Sequence, residues 1–306
     1  MTKERRGALY AALSAVSLAV VILIAKTLLR SMTAWGFTAY LFSFGAGWYS
    51  IYFVVRGDLG VFTPSRAALK AGLVIGVLDA GYTLATFSAL QILTPGVYAF
   101  FSHMADLLTT LVGLVLLRER FNAKELGGFG IAFLGLITMT AQTDAIVLKG
   151  FVLMVVAAAF FAANAVAIKK YTRAHSPVHL AYYRAVALSL LLFCMSPVLT
   201  GFRLPEGDEW LLLASAGLIG PFLNYLCFFN ALKRLEIGRV SLVRMCYSVL
   251  VILGAYAIYS QLPTDRQLAG GITMLAGVGL VMLEKSRLVR AAAAAAAKAP
   301  TPRGGA

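Results

Sequence analysis

Two aspartates lie within long apolar stretches of this chain. Asp79 falls in Leu-Asp-Ala-Gly-Tyr and Asp106 in His-Met-Ala-Asp. A carboxylate among so many aliphatic residues is costly to bury unless it binds something. Asp79 shares a helical face with Tyr82, Thr83 and Thr86, and Asp106 shares one with His103 and Thr110. These i, i+3 and i+4 spacings let each set line one wall of a cavity. Such a wall can hold an amine or a proton, and two carboxylates brought close repel, which favours a proton on one of them. A His–Asp pair one helical turn apart can also relay protons. The structural alternative keeps each aspartate bonded to a hydroxyl, to His103 or to a basic residue.

Other polar side chains interrupt apolar runs in the same manner. Arg244, with Ser241 and Ser248 on its face, can hold a carboxylate through paired hydrogen bonds, snorkel to the membrane surface, or pair with an aspartate. Asn164 and Asn224 are mid-stretch amides. Asn224 follows Gly220-Pro221, where a helix is expected to kink and expose backbone groups. Tyr82, Tyr98, Tyr225 and Tyr247 can stack on a ring or cage a cation. Lys26, near a helix end, is expected to snorkel. His175 and His179 stand at i, i+4 spacing without an evident third metal ligand, and Cys194, Cys227 and Cys246 behave as small apolar residues. Nothing implies a cofactor or metal, and no phosphate-binding loop pattern is present.

The elements that must position these residues follow from composition. Of the chain, 60% is hydrophobic and only 13% charged. A soluble domain has about 25% charged residues. The apolar residues recur in blocks of about 20, the length that crosses a bilayer. Spans are predicted at 7–29, 33–55, 70–91, 95–117, 124–142, 150–170, 178–200, 209–232, 240–260 and 267–285. A signal peptide is excluded for the first, whose apolar run is too long and leads into further spans.

Basic residues sort onto alternate connections. One side holds Lys3, Arg5, Arg6; Arg56, Arg66, Lys70; Arg118, Arg120, Lys124; Lys169, Lys170, Arg173; Lys233, Arg234, Arg239; Lys285, Arg287 and Arg290. The other holds only Arg30, Lys149, Arg203 and Arg266, with Lys26 near its helix end. The positive-inside rule then places both termini in the cytoplasm. The net charge of +14 is thereby a topology signal, with anionic lipid as a partner, and not a sign of nucleic-acid binding.

The two halves repeat. Ala89-Leu90 matches Ala231-Leu232, Gly96 matches Gly238, Gly128 matches Gly270, Gly135 matches Gly277 and Lys124 matches Arg266, all at one constant offset. Five spans per half make the second copy enter from the opposite face. Inverted repeats of this kind place a substrate site at their interface near the midplane and give alternating access by rocking. The expected units are 1–142 and 149–286, followed by a disordered cytoplasmic tail, 287–306, whose alanine run can prolong the last helix.

The stretch Ala89 to Met139 carries Leu117-Arg118-Glu119-Arg120 at the end of one span and Gly127, Gly128 and Gly135 in the next. The second half carries Tyr183-Arg184, Gly270, Gly271 and Gly277. Together these resemble EamA-type units of the drug/metabolite transporter superfamily, over about residues 7–285. Asp106 stands where the family often has a proline. In the second half Ser248 stands at that place and Gln261 at that of Glu119.

The resemblance implies an all-α integral membrane protein of ten transmembrane helices, arranged as two inverted five-helix repeats, in a bacterial inner membrane. It implies export or exchange of amino acids, amines or related metabolites, and it sets Arg184 at the periphery as a structural residue. The mixed charges favour a zwitterion, with a cationic drug or amine as the alternative. Substrate binding or proton coupling is expected of Asp79, Tyr82, Thr83, His103, Asp106, Asn164, Asn224, Arg244 and Tyr247. An intramembrane aspartyl protease is disfavoured, because neither aspartate sits in a G-x-G-D pattern. A receptor or scaffold is disfavoured by the lack of an extramembrane domain.

Overall fold

The computed structural model describes residues 3–108, 123–140, 144–172, 175–199, 203–235 and 237–298. They form helices α1 (Lys3–Leu28), α2 (Ala34–Arg56), α3 (Arg66–Ile92), α4 (Pro95–Ser102), α5 (Ala123–Thr140), α6 (Ala145–Tyr171) and α7 (Pro177–Leu199) in the first two-thirds of the chain. Next come α8 (Glu209–Gly217), a wide π-helical segment (Leu218–Asn224), α9 (Tyr225–Leu232), α10 (Ile237–Met245), α11 (Tyr247–Tyr259) and α12 (Asp265–Lys298). No strand occurs among the described residues.

Seven of the described helical stretches are long and apolar enough to cross a bilayer: most of α1, α3, α6, most of α7, α8 to α9, Leu242–Tyr259, and Asp265–Glu284 of α12. The surface supports a lipid surround. Val55, Leu126, Phe133, Leu211, Leu253 and Ile258 are exposed, whereas Asp79, Arg184, Asn164, Asn224 and His103 are buried. A soluble protein distributes such residues the other way round.

Local chemistry sets the helix ends. Thr33 and Ser65 cap α2 and α3, accepting from the Gly36 and Ala68 amides at 3.1 and 3.2 Å. Gly57 closes α2 in the left-handed region at φ 71°. Pro95 opens α4, where its missing N–H leaves no bond unmade. At the end of α3 the helical carbonyls have no intrahelical donors. Lys26 Nζ supplies them, donating to the Leu90, Gln91 and Leu93 oxygens at 2.8, 3.1 and 2.7 Å. This corrects the expectation that Lys26 snorkels: the nearer α3 terminus, with its negative dipole end, takes the ammonium instead.

Helices α5 and α12 pack along a glycine seam. A Cβ on Gly270 would meet the Gly135 oxygen at 2.7 Å, and one on Gly128 would meet the Gly277 oxygen at 3.0 Å. Only glycine lets two backbones approach this closely. The pairing is reciprocal: Gly128 faces Gly277 while Gly135 faces Gly270, so the two helices run antiparallel. α12 continues to Lys298, because alanine is the strongest helix former. Residues 299–306 lie outside the described residues, as does Thr110.

Candidate functional site

Helix α4 breaks at His103 and resumes at Met104, and the α10–α11 stretch breaks at Cys246. At the first break His103 N–H bonds to the Phe100 oxygen at 3.1 Å, not to Ala99 one residue further back. The Ala99 carbonyl, released from the helical ladder, must find donors elsewhere. It accepts from Ser102 Oγ at 2.7 Å, from the Tyr247 hydroxyl at 3.1 Å and from Ser248 Oγ at 3.3 Å. Two of these three donors come from α11, so the second break closes onto the first. Ser102 also hydrogen-bonds the Tyr247 hydroxyl directly.

His103 joins this junction to a carboxylate. Its Nε2 lies 2.8 Å from Ser248 Oγ and its Nδ1 lies 3.2 Å from Asp106 Oδ2, with the ring tilted over Tyr247 at 5.1 Å. Asp106 and Ser248 are the matched positions of the two halves where the resemblance places prolines. In this chain one imidazole bridges them. His103 is almost fully buried, but the Asp106 side chain is 41% accessible.

A second polar cluster lies between unbroken helices. Asp79 of α3, Arg184 of α7 and Asn164 of α6 are 2%, 2% and 3% exposed. Arg184 Nη1 lies 3.5 Å from Asp79 Oδ2 and donates to the Tyr225 hydroxyl at 2.5 Å. The guanidinium sits 4.0 Å above the Tyr225 ring and 5.6 Å from that of Phe42. Asn164 Nδ2 donates to Asp79 Oδ1 at 3.2 Å. Thr83 donates to the Asp79 backbone oxygen at 2.7 Å, while Thr86 is buried on the same face two turns on. Arg184 is thus a core residue and not a peripheral one. A guanidinium in mid-span needs a counter-ion, and Asp79 provides it.

Tyr82 stands between the clusters. It is within electrostatic reach of Asp79, Asp106, Arg244 and Tyr225, and its ring packs on Phe161 at 5.2 Å. Tyr98 and Tyr247 border the same space. The two aspartates do not form a pair with each other; each has a nitrogen partner of its own.

Arg244 is half-buried and stacks over Phe228 at 4.5 Å. The break at Cys246 removes its expected alignment with Ser248, which turns instead to His103 and Ala99. The side chain of Ser241 is outside the described residues. At Pro221, which cannot close the helical bond to Gly217, the helix widens into the π-helical segment. One backbone group and one side chain there are engaged: Tyr49 donates to the Pro221 carbonyl oxygen at 2.9 Å, and Ser14 donates to the side-chain Oδ1 of Asn224 at 2.6 Å. These two bonds tie α2 and α1 to the π-helical segment.

His179 pairs with Asp58 at 2.8 Å in an exposed position. Among the described residues no three His, Cys, Asp or Glu side chains cluster as metal ligands, and the cysteines are free. Ser102, Tyr49 and the Arg184–Asp79 pairing escaped sequence reasoning. The one available signal was that Arg184, like Arg244, is a cation in an apolar stretch, in a chain with two aspartates placed the same way.

The model of the EamA-like transporter family matches residues 5–141 and again 148–283. The chain belongs to the EamA-like transporter family. The family falls within the drug/metabolite transporter superfamily. An "Uncharacterized transporter" of Archaeoglobus fulgidus is 24% identical over 195 residues, 63% of this chain and 70% of that protein. A "Probable amino-acid metabolite efflux pump" of Salmonella typhimurium is 25% identical over 250 residues, covering 75% of this chain and 79% of that one. A crystal structure shares the fold at TM-score 0.65 and 19% identity, over 92% of this chain and 98% of that one. This family member is a multi-pass membrane transporter and not an enzyme. Its substrates are small molecules and its surround is lipid.

Proposed function

We propose that the protein is a secondary transporter that exchanges or exports a small zwitterion, an amino acid or a close relative, by alternating access. The observation that carries this reading is the meeting of two helix breaks, at His103 and Cys246, beside buried groups of both signs. Broken helices that expose backbone at membrane depth are where transporters bind substrate. Asp106 forms the accessible part of the site, backed by the buried His103 and Tyr247, with Tyr82, Thr83, Asp79, Asn164, Asn224 and Arg244 lining or supporting the remainder. Proton coupling is assigned to the His103–Asp106 pair, which also faces Tyr82, Tyr247 and Arg244.

The reciprocal seam between α5 and α12 supports the finer architecture. Matched helices of two repeats that meet antiparallel, with Gly128 on Gly277 and Gly135 on Gly270, fit a two-fold axis lying in the membrane plane. That is the geometry of ten spans in two inverted five-helix repeats, 1–142 and 149–286, with both termini cytoplasmic in an inner membrane. The printed name of the Salmonella relative supports the amino-acid class. A second reading, export of a cationic amine, is favoured by the accessible Asp106 carboxylate among Tyr82, Tyr98 and Tyr247, a set that suits an ammonium.

The test is counterflow in proteoliposomes loaded with a panel of unlabelled amino acids and amines. Exchange confined to amino acids is the expected result. Exchange confined to amines selects the second reading, and no exchange with any member removes both. In Asp106→Asn, exchange is expected to persist while its pH dependence is lost.

A further inference from the structure

Arg184 presents five N–H donors, but only those on Nη1 have partners. Nε and Nη2, both buried, have no hydrogen-bond partner among the described residues. These two nitrogens form the side-on edge of the guanidinium, the edge that takes a carboxylate through two parallel bonds. The faces of the group are covered by Tyr225 and Phe42, and Nη1 is held by Tyr225 and Asp79, so this edge is the part left to a ligand.

Beside it stands the opposite surplus. Asp79 Oδ2 and Asn164 Oδ1 are buried acceptors without hydrogen-bond donors. An Asp–Arg pair serving structure alone closes to two short bonds of about 2.7–2.9 Å; here one nitrogen lies 3.5 Å from one oxygen. Groups this costly to leave unsatisfied in a nonpolar interior call for a partner that donates on one side and accepts on the other.

We propose that Arg184, Asp79 and Asn164 form the head-group receptor of the transporter. The Arg184 Nε/Nη2 edge takes the substrate carboxylate, and Asp79 Oδ2 with Asn164 Oδ1 takes the ammonium. The proposal rests on the zwitterion reading above and narrows it to α-amino acids. The cation and anion of the receptor are neighbours, so the ligand's charges must be separated by a single carbon. The receptor is sealed in this conformation, so the ligand reaches it when the halves part. It joins α3 of the first half to α6 and α7 of the second, and occupancy therefore reports on how the halves sit together.

The experiment compares wild type, Arg184→Lys, Asp79→Asn and the double variant Asp79→Asn/Arg184→Gln in proteoliposomes. Labelled leucine and phenylalanine are exchanged, with phenethylamine, 3-phenylpropionate and γ-aminobutyrate as competitors. Thermal melting in detergent is measured in parallel. In wild type only α-amino acids are expected to compete. Arg184→Lys, which keeps the charge and loses the paired edge, is expected to raise the half-saturation concentration roughly a hundredfold. The double variant leaves no unpaired charge, so it is expected to melt near wild type yet exchange nothing. Recovery of exchange in the double variant would overturn the receptor: the pair would be structural and its free edge filled by water only. Effective competition by γ-aminobutyrate or phenethylamine would overturn it as well. Absence of amino-acid exchange in wild type sinks the zwitterion reading, and the receptor with it.

Discussion

The Asp79–Arg184 cluster is held between unbroken helices and is sealed, whereas the His103–Asp106 cluster sits where two helices break and leaves its carboxylate 41% accessible. The difference follows from which groups need satisfying. In the sealed cluster the polar groups are side chains, and among the described residues Asp79 and Arg184 are each other's one ionic partner. At the breaks the group in need is a backbone carbonyl, Ala99, which draws three hydroxyls around it, while Asp106, bonded to His103, stays partly accessible. Charge pairing locks one region. Backbone release opens the other.

The largest expected effect is on the sealed side. Arg184→Gln alone leaves Asp79 buried without its cation, and breaking a buried pair in this way costs about 3–5 kcal/mol. Thermal melting in detergent should fall accordingly, and adding Asp79→Asn should restore most of the loss. A small loss in the single variant would mean that the two clusters do not differ in the way described.

His103→Ala comes next. It removes the contacts to Ser248 and Asp106 together and should cost about 1–3 kcal/mol, since Ser248 keeps only its longer bond to Ala99. Tyr247→Phe should cost less, about 0.5–1.5 kcal/mol, because Ser102 and Ser248 still donate to the Ala99 oxygen. Asp106→Asn should leave melting within about 1 kcal/mol of wild type, because the side chain is partly accessible and the amide can still bond His103. Its effect should instead appear in the pH profile of exchange. If Asp106→Asn melts as low as Arg184→Gln, the accessible cluster is as structural as the sealed one.

Much of the scaffold was legible because membrane helices declare themselves locally. Apolar runs of bilayer length and the helix irregularity at Gly220-Pro221 act through their own backbone or their immediate neighbours. The glycine matches carried further, since Gly128, Gly135, Gly270 and Gly277 recur for a contact that admits no side chain. The individual candidates at the site were legible in type but not in partnership. Lys26 pointed to snorkelling until α3 placed three carbonyls beside it. Asn224 pointed to a substrate contact or to an interhelix bond, and only packing showed Ser14 against its amide oxygen. Arg184 pointed to a peripheral role until Asp79 appeared 3.5 Å away.

What the sequence by itself determined was therefore the environment and the inventory. A chain with 13% charged residues, its apolar runs of bilayer length and its few mid-span ionisable groups require a lipid surround and a polar interior. What only the tertiary structure decided was the pairing: Asp79 with Arg184 rather than with Asp106, His103 as a bridge between Asp106 and Ser248, and the Ala99 carbonyl as the point on which both breaks converge. The reason is physical. Hydropathy and helix termini depend on neighbours along the chain, while an ion pair or a released carbonyl is satisfied by whichever helix packing brings close.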